Sequence, residues 1–148
     1  DASRVAASPE ARGYGALVTM SGRVFSARDE TKAHTHMLDA FESPGLGPVG
    51  YVDDGEVIFV RRLGDVPRLL APVAPATPVD IVGAWAGADS RLLDASRAEG
   101  KGVVISALGR GNVPPEMVPG VERCVAAGVP VVVASRAGRG HVGRTYAY

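Results

Sequence analysis

An α/β fold is what this sequence predicts, and three observations predict it. Residues 79–134 alternate apolar, β-branched runs with helical patterns, the order of a parallel sheet with right-handed crossovers. Residues 15–60 hold short continuous apolar runs separated by turn residues, and hydrophobic residues make up 46% of the chain, enough to fill a core. Between these halves, Pro67, Pro72, Pro75 and Pro78 space out a stretch that reads as an extended connector. The expectation is two domains with parallel-type sheets. The first, over 1–60, is incomplete; a proline-rich linker covers 61–78; a small flavodoxin-like α/β/α unit covers 79–148.

Composition narrows the function classes. The 148 residues carry 16 basic and 16 acidic side chains, so nothing in the charge points to nucleic acid or an anionic membrane surface. No apolar run approaches the length that crosses a bilayer, so no membrane association is expected. The single cysteine, Cys124, excludes an internal disulfide framework and a cysteine metal cluster. It fits a reduced compartment, and a cytoplasmic placement is expected over a periplasmic one. Asp1–Ala7 lacks the basic start and apolar stretch of a signal peptide and reads as the middle of a helix already begun. With no initiator methionine, the chain reads as a piece of something longer.

The elements follow in order. Residues 1–8 are alanine-rich and stop at Pro9, like the second half of a helix. Gly15–Met20 is a candidate buried strand and Arg23–Ala27 a second, shorter one. Ser43–Pro48 holds two prolines and two glycines and is a loop. Val49–Val52 and Glu56–Val60 flank Asp53-Asp54-Gly55, a hairpin signal. Beyond the linker, Val79–Ala84 is a strand. Asp89 or Ser90 caps a helix to Glu99 with Leu92, Leu93 and Ser96 inward and Gly100 as its stop. Gly102–Ser106 is the next strand. Pro119 opens a second helix, with Val118, Val121, Cys124, Val125 and Gly128 at helical spacing, and Val129–Ala134 is the third strand.

Several groups invite a chemical reading. Gly45, Gly47, Gly50 and Gly138, Gly140, Gly143 both match the spacing of a dinucleotide fingerprint, which requires a strand before and a helix after. The first run contains Pro48 and leads into a strand, and no helical pattern follows the second. Both read as chance matches. His34 and His36 could face one way on an extended segment, with Asp29 or Asp39 as a third metal ligand, but no ligand spacing supports that; with His141 they read as exposed loop histidines. Cys124 falls on an apolar helix face and reads as core. Gly109-Arg110-Gly111-Asn112 and Ser135-Arg136-Ala137-Gly138 end two strands at the edge where doubly wound sheets bind ligands. Either could equally be a plain turn.

Lys32 is the most suggestive residue. It closes Ser26-Ala27-Arg28-Asp29-Glu30-Thr31-Lys32, where charged groups crowd between a strand and an apolar segment. A solvated surface lysine is one reading. A lysine partly desolvated there, able to relay protons to a hydroxyl nucleophile, is the other.

These residues reach a family. Ser26–Lys32, then Asp39-Ala40-Phe41-Glu42-Ser43-Pro44 and Gly47-Pro48-Val49-Gly50-Tyr51, resemble the corresponding run of bacterial L-asparaginases. Val79–Val82 with Gly87-Ala88-Asp89, Gly109–Pro114 and Val131–Arg136 follow in the family's order. The resemblance implies hydrolysis of the side-chain amide of L-asparagine, and possibly L-glutamine, through a threonine acyl-enzyme with donors holding the oxyanion. It implies a proton-relay role for Lys32 and, for Asn112, a contact reaching a neighbouring subunit's substrate. It implies no metal or organic cofactor, and self-association into dimers and tetramers with shared sites.

The departures are as informative. The family's Thr-Gly-Gly-Thr and Gly-Thr-Asp-Thr motifs, which carry the nucleophile and its partner pair, do not occur in these residues. Ala33, His34 and His36 stand where small polar residues usually follow the lysine. The chain alone is therefore expected to be inactive. Two alternatives stand beside this reading: the asparaginase-like subunit of a tRNA-dependent amidotransferase, and a non-catalytic α/β module for small-molecule binding or oligomerisation.

Overall fold

In the computed structural model, residues 1–64, 74, 78–100 and 102–143 are described, and they divide between two compact units, Asp1–Ala71 and Pro72–Tyr148. The proline-rich stretch expected as a linker lies mostly outside the described residues.

The first unit begins with helix α1 (Ala2–Ala7), which ends in a 3₁₀ turn over Pro9–Ala11 where the Ser8 hydroxyl accepts from the Glu10 N–H. Its main sheet runs β1 (Leu17–Met20), β2 (Arg23–Ser26), β5 (Gly50–Asp53) and β6 (Glu56–Phe59) in the spatial order β1-β2-β5-β6. A separate ladder pairs β3 (Thr31–Lys32) with β4 (Phe41–Glu42). Every pairing in this unit is antiparallel, which corrects the expected parallel arrangement. For two of these pairings the reason is connection length. β1–β2 and β5–β6 are joined by two residues each, and a parallel crossover needs a dozen or more.

Both short connections take left-handed backbone. Asp54 and Gly55 sit at φ +45° and +83°, with Asp53 opposite Glu56, so the Asp-Gly signal forms the primed turn that matches strand twist. Ser21 and Gly22, at +50° and +70°, do the same between Met20 and Arg23. The core of this unit gathers Val5, Val24 and Val49, with Leu17, Val52 and Phe59 packed against it. Tyr14 stacks on Phe59 at 4.3 Å and donates its hydroxyl to the Arg61 carbonyl at 3.1 Å.

The second unit is the expected strand–helix alternation: β7 (Val79–Gly83), α2 (Arg91–Glu99), β8 (Gly102–Ala107), a 3₁₀ turn (Pro115–Met117), α3 (Val118–Ala126) and β9 (Val131–Ser135). The sheet order is β7-β8-β9 and both pairings are parallel. Two right-handed crossovers that advance in one direction place both helices on one face. Val82, Val103, Ile105 and Ala107 accordingly pack with Leu93, Met117 and Cys124 in one core. On the opposite face, Ile81, Val104 and Val132 form a cross-strand row, and Ile81 and Val132 are 77% and 58% exposed. Among the described residues, helices cover one face of this sheet.

Helix details refine the sequence reading. Leu93 and Ser96 are buried as expected, but Leu92 is exposed, because α3 meets only a narrow arc of α2. Val125 is exposed on α3 for the same reason, while Cys124 is fully buried. Ser90 occupies the N-cap of α2, yet the Asp89 carboxylate is what accepts the Arg91 N–H, at 3.1 Å. Gly128, at φ +75°, ends α3 with its N–H on the Val125 carbonyl, a left-handed stop.

Candidate active-site elements

The Lys32 segment is assembled by local hydrogen bonds. The buried Ser26 turns the chain out of β2: its hydroxyl accepts from Arg28 N–H and its carbonyl from Asp29 and Glu30 N–H. This reversal delivers Thr31 and Lys32 opposite Glu42 and Phe41. The ladder continues as Ala33 N–H donates to the Ala40 carbonyl at 2.7 Å. The intervening loop is pinned from β1 and β2, where Ser21 Oγ donates to the Leu38 carbonyl at 2.7 Å and Arg23 to the Asp39 carbonyl at 3.3 Å.

The side chain of Lys32 is exposed, so the crowded charges before it do not desolvate it among the described residues. Arg28 engages Asp29 Oδ1 at 3.3 Å and leaves Lys32 outside that pair. Asp29 Oδ2, Glu30 Oε2 and Ser43 Oγ are buried without a hydrogen-bond partner among the described residues. Unpaired buried acceptors of this kind cost about 1–3 kcal/mol each unless a donor reaches them. These unpartnered acceptors lie in the same Ser26–Ser43 segment as Lys32.

The two loop histidines are held by local contacts, with His36 Nδ1 lying 3.1 Å from the Thr35 hydroxyl. His34 Nδ1 accepts from the N–H groups of His36 and Met37 at 3.3 Å each, and the rings meet edge-on at 4.8 Å. Among the described residues no three His, Cys, Asp or Glu side chains converge as metal ligands. The first glycine run serves a turn, since Gly45 and Gly47 adopt φ +78° and +71° ahead of β5.

Asn112 lies in the second unit, each unit being described by itself. It sits at the C-terminal edge of the parallel sheet, where β8 ends in a pinched loop. Leu108 and Asn112 exchange backbone hydrogen bonds of 3.0 and 2.8 Å around Gly109, Arg110 and Gly111. The Asn112 side chain is half-buried and has no hydrogen bond among the described residues. The neighbouring end of β9 is tied to the same edge. Ser135 Oγ donates to the Gly109 carbonyl, and Arg136 Nη1 to the Ala84 carbonyl at 3.2 Å. Composition and spacing gave no signal for the pairing of Arg110 with His141, 3.3 Å apart, because it joins residues 31 positions apart through two loops.

The first unit thus carries Lys32 on a short antiparallel ladder, and the second carries Asn112 at the C-terminal edge of its parallel sheet. Comparison with known proteins assigns the two segments that carry these residues to the two domains of one enzyme family. The family profile described as "Asparaginase, N-terminal" matches residues 1–64, and "Glutaminase/Asparaginase C-terminal domain" matches residues 78–148. The L-asparaginase of Bacillus licheniformis is 36% identical over 146 residues, which is 97% of this chain and 44% of that protein. The probable L-asparaginase of Deinococcus radiodurans is 36% identical over 152 residues, 100% of this chain and 46% of that one. A solved structure, the probable cytoplasmic L-asparaginase from Campylobacter jejuni, superposes with a TM-score of 0.87 at 28% identity, covering 96% of this chain and 46% of its own. This chain belongs to the asparaginase family. It spans less than half the length of these relatives.

Proposed function

We propose that this chain is a catalytic-domain portion and second domain of an enzyme that hydrolyses the side-chain amide of L-asparagine to L-aspartate and ammonia. The observation that carries this is the ordered match to both asparaginase domains, with Lys32 falling in the first and Asn112 in the second. A threonine hydroxyl attacks the amide carbon, the carbonyl oxygen takes up negative charge, and ammonia leaves as it gains a proton; water then releases aspartate from the acyl-enzyme. The attacking threonine belongs to a part of the enzyme outside these 148 residues.

In this reading Lys32 moves the proton between the hydroxyl and the departing nitrogen. Its exposure within this chain supports such a role, because Nζ on a two-residue edge ladder is accessible to groups brought in from outside. Asn112 is proposed to reach the substrate of a neighbouring subunit, which makes the active form a self-associated one.

The test is ammonia release from L-asparagine by the longest gene product that carries this chain. Lys32→Ala is expected to lower kcat by about 10²- to 10⁴-fold, the usual weight of a proton-transfer group, with KM changed far less. Undiminished kcat in Lys32→Ala removes Lys32 from the mechanism.

A further inference from the structure

We propose that the Gly138–Gly143 run is a latch that holds the Asn112 loop in place, closed by a neutral His141 that accepts a hydrogen bond from Arg110. His141 and Arg110 are then positioning residues acting through Asn112, an inference that rests on the role proposed for that asparagine.

Three contacts build the latch from two separate segments. Gly143 N–H donates to the Arg110 carbonyl at 3.1 Å. Arg110 Nη2 lies 3.3 Å from His141 Nε2. Val142 lies so close over Gly111 that a Cβ there would stand 2.7 Å from Val142 Cγ1. Gly111 also holds φ +106°, so it meets two demands only glycine satisfies, open backbone and a missing side chain. The backbone that this run clamps is the one that carries Asn112, pinned by Gly111 and Asn112 N–H on the Leu108 carbonyl at 3.0 and 2.8 Å. The second glycine-rich run, whose spacing mimics a nucleotide fingerprint, thereby acquires a purpose. The close approach is made by Val142 over Gly111, and the run adds the Gly143 N–H bond to Arg110.

The chemistry of the Arg110–His141 contact sets its pH dependence. A guanidinium carries no acceptor, so His141 Nε2 must present its lone pair and the ring proton resides on Nδ1. Protonation at Nε2 turns that acceptor into a donor and sets two cations face to face. The charged groups on the meeting segments are Arg110 from the β8 loop, Arg136 just after β9 and Arg139 within the glycine run. From the loop after β7, Asp89 is engaged by Arg91 at 2.8 Å. Residues 108–114 and 135–143 contain no carboxylate to compensate a second positive charge. The latch opens when His141 gains a proton.

Amide hydrogen exchange at Gly111 and Asn112, measured on this chain, tests the proposal. Protection is expected to fall about three- to tenfold, the weight of one hydrogen bond, between about pH 8 and about pH 5, across the range in which histidines titrate. His141→Ala should show the lower protection at both pH values. His141→Gln, whose amide oxygen accepts from Arg110 at either pH, should keep the higher protection at both. Protection in His141→Ala equal to wild type at both pH values overturns the latch, as does the same pH-dependent loss persisting in that variant. In the longest gene product, His141→Ala is expected to raise KM for L-asparagine about three- to tenfold at pH 8, with kcat within about twofold, and His141→Gln to restore it. An unchanged KM in His141→Ala overturns the positioning role. The exchange pattern seen without any amide hydrolysis would instead overturn the asparaginase reading and leave the latch standing.

Discussion

Cys124 shows how a single residue's chemistry follows from its place in a helix. It lies on the inner face of α3, is fully buried, and donates Sγ–H to the Leu93 carbonyl at 3.6 Å. Burial pushes its thiol above the ordinary value, and the nearby Arg97 opposes this only in part. A neutral, inaccessible thiol is a poor nucleophile. Native chain should therefore leave Cys124 unmodified by a thiol reagent for as long as it stays folded, and titrate one thiol in denaturant; rapid modification under native conditions contradicts this placement. The core role of Cys124 was legible from spacing alone. Lys32 was legible as a position, but its exposure was not, because solvent access depends on what packs over an edge ladder.

At the scale of elements, the pairing of α2 with α3 rests on close approach and one charge cluster. A Cβ on Gly120 would meet Ser90 Cβ at 2.8 Å and Leu93 Cβ at 3.1 Å, so the helices cross over a hydrogen atom. Gly120→Ala is expected to destabilise the fold by about 1–3 kcal/mol in denaturant titration, the usual weight of overpacking; unchanged stability would mean that the helices separate freely. Beside the crossing, Arg123 grips Asp94 with bonds of 2.8 and 2.6 Å and reaches Ser90 Oγ at 2.9 Å. These hydrogen bonds, with the charges of Arg123 and Arg97 assisting, hold the Asp94 carboxyl at about 2, below its ordinary 3.8. A depressed carboxyl stabilises the fold above its ordinary range, and that contribution disappears as pH falls through the folded value. Asp94→Asn should thus lower Tm at pH 7 and match wild type near pH 2. A Tm difference that is the same at both pH values would assign the effect to packing.

Element type was readable where two signals agreed. In the second unit, β-branched runs and helical spacing gave the parallel order, whereas the expectation of helices on both faces differs from the single helix-covered face among the described residues. In the first unit, apolar runs announced strands but not their direction. The two-residue turns at Ser21-Gly22 and Asp54-Gly55 decided it, and only the Asp-Gly turn carried a strong signal. The β3–β4 ladder went unread because two-residue strands lack a period to detect.

For the whole molecule, the family was legible from four ordered blocks, while the organisation of its site was not. Lys32 and Asn112 are 80 positions apart and belong to different units, so no local pattern links them. Neither unit supplies a Thr-Gly-Gly-Thr motif, and these 148 residues correspond to less than half of each relative. Under the proposed function, this chain holds the proton-relay lysine and the substrate-contacting asparagine of an asparaginase whose nucleophile is absent from these residues. Ammonia release from L-asparagine tests it most directly, measured side by side on the 148-residue chain, its Lys32→Ala variant and the longest gene product that carries both. Hydrolysis is expected from the longer product alone, with the chain indistinguishable from its Lys32→Ala variant. Ammonia released by the 148-residue chain above that variant would contradict it.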